Sequence, residues 1–289
     1  MYALNTYIDE SYEMYTFLDT DSKSWLTVCP GRGGLITSFG LKGVELLYLN
    51  KDTLHDESKE IRGGIPVLFP VCGQLTDQRY HWKGHTYFMP IHGLALNRLW
   101  RVVEAECDDA AAWITLSFSS DSETKKAYPF DFELLFTYTL CKDKLTIKQV
   151  YRNHSPEPMP FYAGFHPYFK TEKKSFSVNS DATMYLDYND LKMKKFTGSV
   201  NMTGVKKAFV LPDGGNKSII TNLFSSQGIL IETSSAFKYW VLWTQPNDDF
   251  VCVEPWMADR DELNRKEELA MVGANSQMEE FVEIKLKDY

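Results

Sequence analysis

The sequence predicts an all-β protein, built as a large antiparallel β-sandwich. Its apolar residues recur mostly with period two rather than with the spacing of a helix. The alternating runs are rich in β-branched and aromatic residues, which suit a half-buried pleated surface. Clusters of turn-forming residues separate these runs.

Segments 113–118 (WITLSF), 132–140 (FELLFTYTL), 145–151 (LTIKQVY) and 281–286 (FVEIKL) are the clearest strands. Turns are expected at 141–144 (CKDK), 153–156 (NHSP) and 212–216 (PDGGN), where Gly, Pro, Asn and Asp gather. Helix signals are few. Segment 259–268 (DRDELNRKEE) is helix-compatible but short and polar, so it reads as a surface helical turn. No internal repeat, linker or break in composition divides the chain, and 1–289 reads as one domain.

Hydrophobic residues make up 44% of the 289 residues and charged residues 24%, which is enough apolar matter for a full core. The formal net charge of -8 argues against nucleic acid or an anionic membrane as the main partner. It suits a protein that handles a small molecule. The N-terminal MYALNTYIDESYEMYTF is not a secretory signal, and no apolar run is long enough for a membrane-spanning helix. The five cysteines, Cys29, Cys72, Cys107, Cys141 and Cys252, are odd in number and form no CxxC pair. A disulfide framework is therefore not expected, and the cytoplasm is the expected compartment.

Four segments break simple strand logic, and such breaks often mark sites. In 60–70 (EIRGGIPVLFP), paired glycines and prolines interrupt an apolar run; glycine permits close approach of backbone to a ligand, and Arg62 offers a fork of donors. In 90–97 (PIHGLALN), a tight turn presents His92. His81 and His85 are four apart, but Gly84 and Pro90 work against a helix there and no further ligand completes the spacing, so no metal site is expected. In 160–169 (PFYAGFHPYF), His166 sits among aromatics that would partly desolvate it and could stack on a sugar ring. In 250–257 (FVCVEPWM), Glu254 ends an apolar strand, where a carboxylate needs a partner or a task.

Together these segments resemble the aldose 1-epimerase, or galactose mutarotase-like, family, and most of all its branch related to hexose-6-phosphate mutarotases. The motifs Arg62-Gly63-Gly64-Ile65-Pro66, His92-Gly93-Leu94-Ala95, Gly164-Phe165-His166-Pro167-Tyr168-Phe169 and Glu254-Pro255-Trp256 stand in the family's order. The resemblance implies a supersandwich fold and a cofactor-free reaction that interconverts the α and β anomers of an aldose. It carries the general acid to His166 and the general base to Glu254. It places Arg62 and His92 on the sugar, with Gln74 beside them. The family's sugar-binding aspartate falls on Asp213, with Asp187 as a rival.

One departure bears on the substrate. Phosphate-preferring relatives carry an arginine where this chain has Leu96, which removes a bidentate partner for a phosphate. Arg98, two positions on, would share a strand face but sit nearly 7 Å away, about twice the rise per residue. The expectation is that a free aldose fits at least as well as a hexose 6-phosphate. Two other readings of the same residues are a non-catalytic carbohydrate-binding protein and a glycoside hydrolase or lyase. The last would need a second carboxylate beside Glu254.

Overall fold

The computed structural model describes residues 1–221, 223 and 227–288. It is all-β, as expected, with every strand pairing in its larger sheets antiparallel.

A nine-stranded sheet runs from Ser199–Asn201 at one edge to Arg101–Cys107 at the other, and Phe132–Cys141, Lys144–Asn153 and Gln277–Asp288 are neighbours within it. Along Phe132–Cys141 burial alternates residue by residue, so the period-two pattern reports one face on the core. Cys141 pairs directly with Lys144, which leaves Lys142 and Asp143 as a two-residue hairpin loop.

An eight-stranded sheet lies against it. Its order runs Lys192–Lys195, Met184–Asp187, Phe209–Leu211, Tyr239–Trp243, Phe250–Trp256, Gly164–Phe165, Val67–Leu68, and Tyr168–Lys170 also pairs with Phe250–Trp256. Phe250–Trp256 is buried at every position. A strand covered on both faces has no solvent side to make polar, and this is why it reads as an unbroken apolar run. The first five strands, from Tyr2–Asp9 to Val44–Glu45, form a third sheet in sequence order.

Aromatic rings join the two large sheets. Phe136 of the nine-stranded sheet lies 6.1 Å from Phe165 of the other, and Tyr151 stands 6.0 Å from Phe69 and 4.6 Å from Phe161. One apolar cluster takes in Phe17 and Leu26 of the N-terminal sheet, Phe136 and Ile147, and Val251 and Val253.

Two local expectations need correction. The polar 259–268 stretch does contain a short helix, Glu262–Arg265, but Glu262 is fully buried and accepts from the backbone N–H groups of Glu267 and Glu268. Gly63 and Gly64 have positive φ, and a Cβ on either would sit 2.5 Å from Leu49 Cα or 2.3 Å from the Ile36 carbonyl oxygen. Their smallness admits neighbouring protein backbone, not a ligand.

Phe136 is fully buried and touches Trp100, Tyr151 and Phe165. Phe136→Ala should cost about 3–5 kcal/mol by emptying the space between sheets. Urea unfolding of the variant beside the parent measures it, and a loss under about 1 kcal/mol would show that this contact does not join the layers.

Candidate active site

The site is built outward from Glu254. Strand alternation puts Cys252, Glu254 and Trp256 on one face of Phe250–Trp256 and Val251, Val253 and Pro255 on the other. Glu254 is 1% exposed. Its Oε2 accepts a 3.0 Å hydrogen bond from Trp256 Nε1, and its Oε1 lies 3.4 Å from His166 Nε2.

His166 lies between the short strands Gly164–Phe165 and Tyr168–Lys170, which both pair with the Glu254 strand. Its N–H donates to the Pro66 carbonyl at 3.0 Å. The imidazole stacks on Tyr168 at 4.6 Å and meets the edges of Trp243 and His92 at 5.7 and 5.5 Å. Its Nδ1 is buried without a partner among the described residues.

His92 is held by a clasp between two turns. Its N–H donates to the Gly73 carbonyl at 2.8 Å, and the Gly73 N–H donates to His92 Nδ1 at 3.1 Å. A ring nitrogen that accepts must be bare, so the neutral imidazole carries its proton on Nε2. Gly93 follows with φ 83°, and a Cβ there would fall 2.2 Å from the Phe69 carbonyl oxygen. Only glycine lets the second turn close on the first.

These side chains meet in one cavity of about 270 Å³, lined by Glu60, Arg62, Gly73, Gln74, His92, His166, Trp243, Glu254 and Trp256 among others. Arg62 makes a 2.8 Å ion pair with Glu60, and its guanidinium lies over the Trp243 ring. Burial dominates the proton affinities. It pushes the Glu254 carboxyl well above the usual carboxylate range, against the Trp256 hydrogen bond. It drives His166 well below the usual imidazole range, helped by His92 and Arg62. Burial also lowers His92 to about 4.

Opposite shifts on two groups 3.4 Å apart favour one proton on the pair, held by the Glu254 carboxyl. One acid and one base therefore face the same cavity. Cys252 Sγ also lies within 4.8 Å of ligand atoms of His166 and Glu254, so the three could meet a soft cation, which would first have to displace the proton that burial keeps on the thiol.

The aldose 1-epimerase family model matches residues 17–271. This chain belongs to the aldose 1-epimerase family. A provisionally named glucose-6-phosphate 1-epimerase of Escherichia coli K12 is 32% identical over 98 residues, which covers 34% of this chain and 30% of that protein. The match thus spans under a third of that relative's length. Protein LacX of Lactococcus lactis is 23% identical over 78% of this chain and 82% of its own. Among solved structures, the Slr1438 protein of Synechocystis sp. PCC 6803 superposes with a TM-score of 0.91 at 31% identity, covering 98% of this chain and 99% of that one. A galactose mutarotase-like protein of Clostridium acetobutylicum shares the fold, with a TM-score of 0.85 at 19% identity over 99% of both chains.

In this chain the fold brings Arg62, Gln74, His92, His166 and Glu254 to one cavity. The two aspartates do not join them. Asp213 is exposed in its turn, and Asp187 is buried but held by Lys194 at 2.6 Å and by Asn189. The carboxylate that lines the cavity beside Glu254 is Glu60. Leu96 also lies elsewhere. Ala95–Asn97 is a short 3-10 turn rather than strand, Leu96 packs on the core, and Arg98 pairs with Asp121 at 3.8 Å outside the cavity. The strand spacing applied to Leu96 and Arg98 therefore does not hold. Tyr188, Lys206, Lys207, Trp243 and Arg260 line the cavity and were not expected. Trp243 could have been found, as an aromatic near a strand end; the two lysines carry no local signal.

His92 links the site to stability. Its folded-state value of about 4 lies below the unfolded 6.5, so the unfolded chain binds more protons between them. Stability should fall as pH drops through that window, by about 3 kcal/mol from this residue. Denaturant titrations at pH 7 and pH 4 should show a smaller loss in His92→Gln than in the parent. An equal loss would exclude a buried neutral His92.

Proposed function

We propose that this chain interconverts the α and β anomers of an aldose by opening and reclosing its ring, with Glu254 as general base and His166 as general acid. The observation that carries the reading is the buried His166–Glu254 pair, 3.4 Å apart, at a cavity whose other walls supply aromatic edges and hydrogen-bond donors. A cavity of about 270 Å³ is suited to one monosaccharide rather than a longer chain.

In the forward step Glu254 takes the proton of the C1 hydroxyl while His166 gives one to the ring oxygen. The C1–O5 bond breaks and C1 becomes an aldehyde carbon. Rotation about C1–C2 presents its other face, and the two transfers run in reverse. The pair starts and ends with one proton, so no cofactor enters the balance. Burial favours that proton on Glu254; moving it to His166 gives the ionised pair, which the polar groups of a bound sugar would stabilise.

Arg62 and the Nε2–H of His92 would hold ring hydroxyls, a reading supported by both residues lining the cavity. They orient the sugar, so their loss should fall mainly on KM if substrate and transition state are held alike.

Polarimetry of freshly dissolved α-D-glucose and α-D-galactose tests the reading. Glu254→Gln and His166→Asn should each lower turnover by about 10²–10⁴ while unfolding as the parent does. Near-native turnover in either would overturn the assignment. The kcat/KM profile should be bell-shaped, lost on the acid side as the pair gains a second proton and on the alkaline side as it gives up the shared one. Reducing-end release from an oligosaccharide, without faster anomer exchange, would instead favour a hydrolase using Glu60 and Glu254.

A further inference from the structure

The cavity lining begins at Glu60, so among the described residues the N-terminal sheet supplies none of it. One turn of that sheet nevertheless reaches the segments on either side of Arg62 and His92. Residues 30–34 join Ser24–Cys29 to Leu35–Leu41, and Arg32 within them is 1% exposed. Its Nε donates to the Leu54 carbonyl at 3.2 Å, and Nη2 to the carbonyls of Lys59, Asp56 and Thr53 at 2.9, 3.1 and 3.5 Å. Its Nη1 donates to Asn97 Oδ1 at 2.8 Å. These acceptors are four backbone carbonyls and one side-chain amide. Desolvating a guanidinium is costly, and a flat fork of five donors is the group that can reach acceptors on two sides at once.

One side is the wall that carries Arg62. Thr53 and Leu54 belong to the helix Lys51–His55, which is too short to stand alone and whose last carbonyls lack partners within it. Arg32 supplies them. Thr53 Oγ1 in turn accepts the Arg62 N–H at 2.9 Å, and the Asn50 N–H donates to the Arg62 carbonyl at 2.9 Å. Both backbone groups of Arg62 therefore hang on the turn that Arg32 holds. The other side follows His92. Asn97 ends the 3-10 turn Ala95–Asn97, and the Leu94 N–H ahead of it donates to the Phe69 carbonyl at 2.6 Å. The 30–34 turn grips this segment by backbone as well. The Gly33 N–H donates to the Arg98 carbonyl at 2.9 Å, and with φ 74° a Cβ on Gly33 would fall 2.1 Å from the Leu96 carbonyl oxygen.

From these contacts we infer that Arg32 is a positioning residue for sugar binding, a clamp outside the cavity that sets where the segments of Arg62 and His92 stand relative to each other. The inference rests on the mutarotase reading for the task of those two residues. Glu254 and His166 are oriented by Trp256, Tyr168 and Trp243, so loosening the clamp should leave the acid and the base in place. Its loss should therefore fall on KM and not on kcat.

The test uses the whole protein with α-D-glucose, α-D-galactose and α-D-glucose 6-phosphate, measured for anomer exchange and, by calorimetry, for binding. Amide hydrogen exchange reports the Arg62 N–H and the strand Phe250–Trp256 without any sugar. Arg32→Lys keeps the charge and loses the fork. It should raise KM about tenfold, as the loss of one charge-assisted hydrogen bond would, with kcat within about twofold of the parent. Protection of the Arg62 amide should fall while that of Phe250–Trp256 holds. Thr53→Val and Asn97→Ala should shift KM the same way, and Thr53→Ser and Asn97→Asp, which keep the acceptor oxygen, should restore it. Should Arg32→Lys fail to fold, these two pairs carry the same test. An unmoved KM with unmoved Arg62 protection, or a fall in kcat alone, would overturn the clamp, as would a parent that binds none of the three sugars. Weaker sugar binding with local loss of Arg62 protection, in a protein whose parent does not speed anomer exchange, would uphold the clamp and refute the catalytic reading instead.

Discussion

The structure turns on the burial of an ionisable pair. Glu254 and His166 are 1% and 8% exposed and sit 3.4 Å apart. A lone carboxylate at that depth would be costly, and so would a lone imidazolium. Side by side they share a proton, and neither has to hold a bare charge. The same burial that would punish each group alone raises Glu254 and lowers His166, so the proton they share favours the carboxyl until a bound sugar's polar groups support the ionised pair.

That burial has a structural cause. Phe250–Trp256 lies within the eight-stranded sheet, with one face on the aromatic layer and the other under the cavity. Trp256 Nε1 satisfies one carboxylate oxygen and leaves the other for His166. Tyr168 and Trp243 then fix the imidazole plane from two sides. Charge, packing and orientation are set by residues that are themselves locked in the core, so the geometry does not depend on surface loops.

The opposite wall follows another rule. His92 comes from a turn and Arg62 from an irregular segment, and both are positioned by backbone contacts. Glycines at 63, 64, 73 and 93 each sit where a Cβ would strike neighbouring atoms. They let four chain segments close on one another tightly enough to place side chains from residues 60–92 opposite those from 166–256. The resulting cavity carries Glu60 and Glu254 together with Arg62, Lys206, Lys207 and Arg260 in its lining.

Much of this was legible in the residues alone. Period-two alternation in 132–140 dictated antiparallel strands, because one face of each strand had to meet the core. A glutamate ending FVCVE and a histidine among aromatics were conspicuous, because neither environment tolerates such a group without a reason. What the sequence could not decide was which distant groups share a cavity. Asp213 and Asp187 were the carboxylates named and Glu60 was not, yet a turn carries the first away, Lys194 holds the second, and Glu60 lines the cavity. The resemblance put Leu96 at the site and strand spacing put Arg98 nearly 7 Å from it, about twice the rise per residue, whereas a 3-10 turn lays Leu96 on the core. Lys206, Lys207 and Arg260 carry no local mark, since cations in loops are common and only the tertiary fold brings these three to the cavity. Local patterns report what each residue buries; which residues face one another is fixed only when the strands take their order.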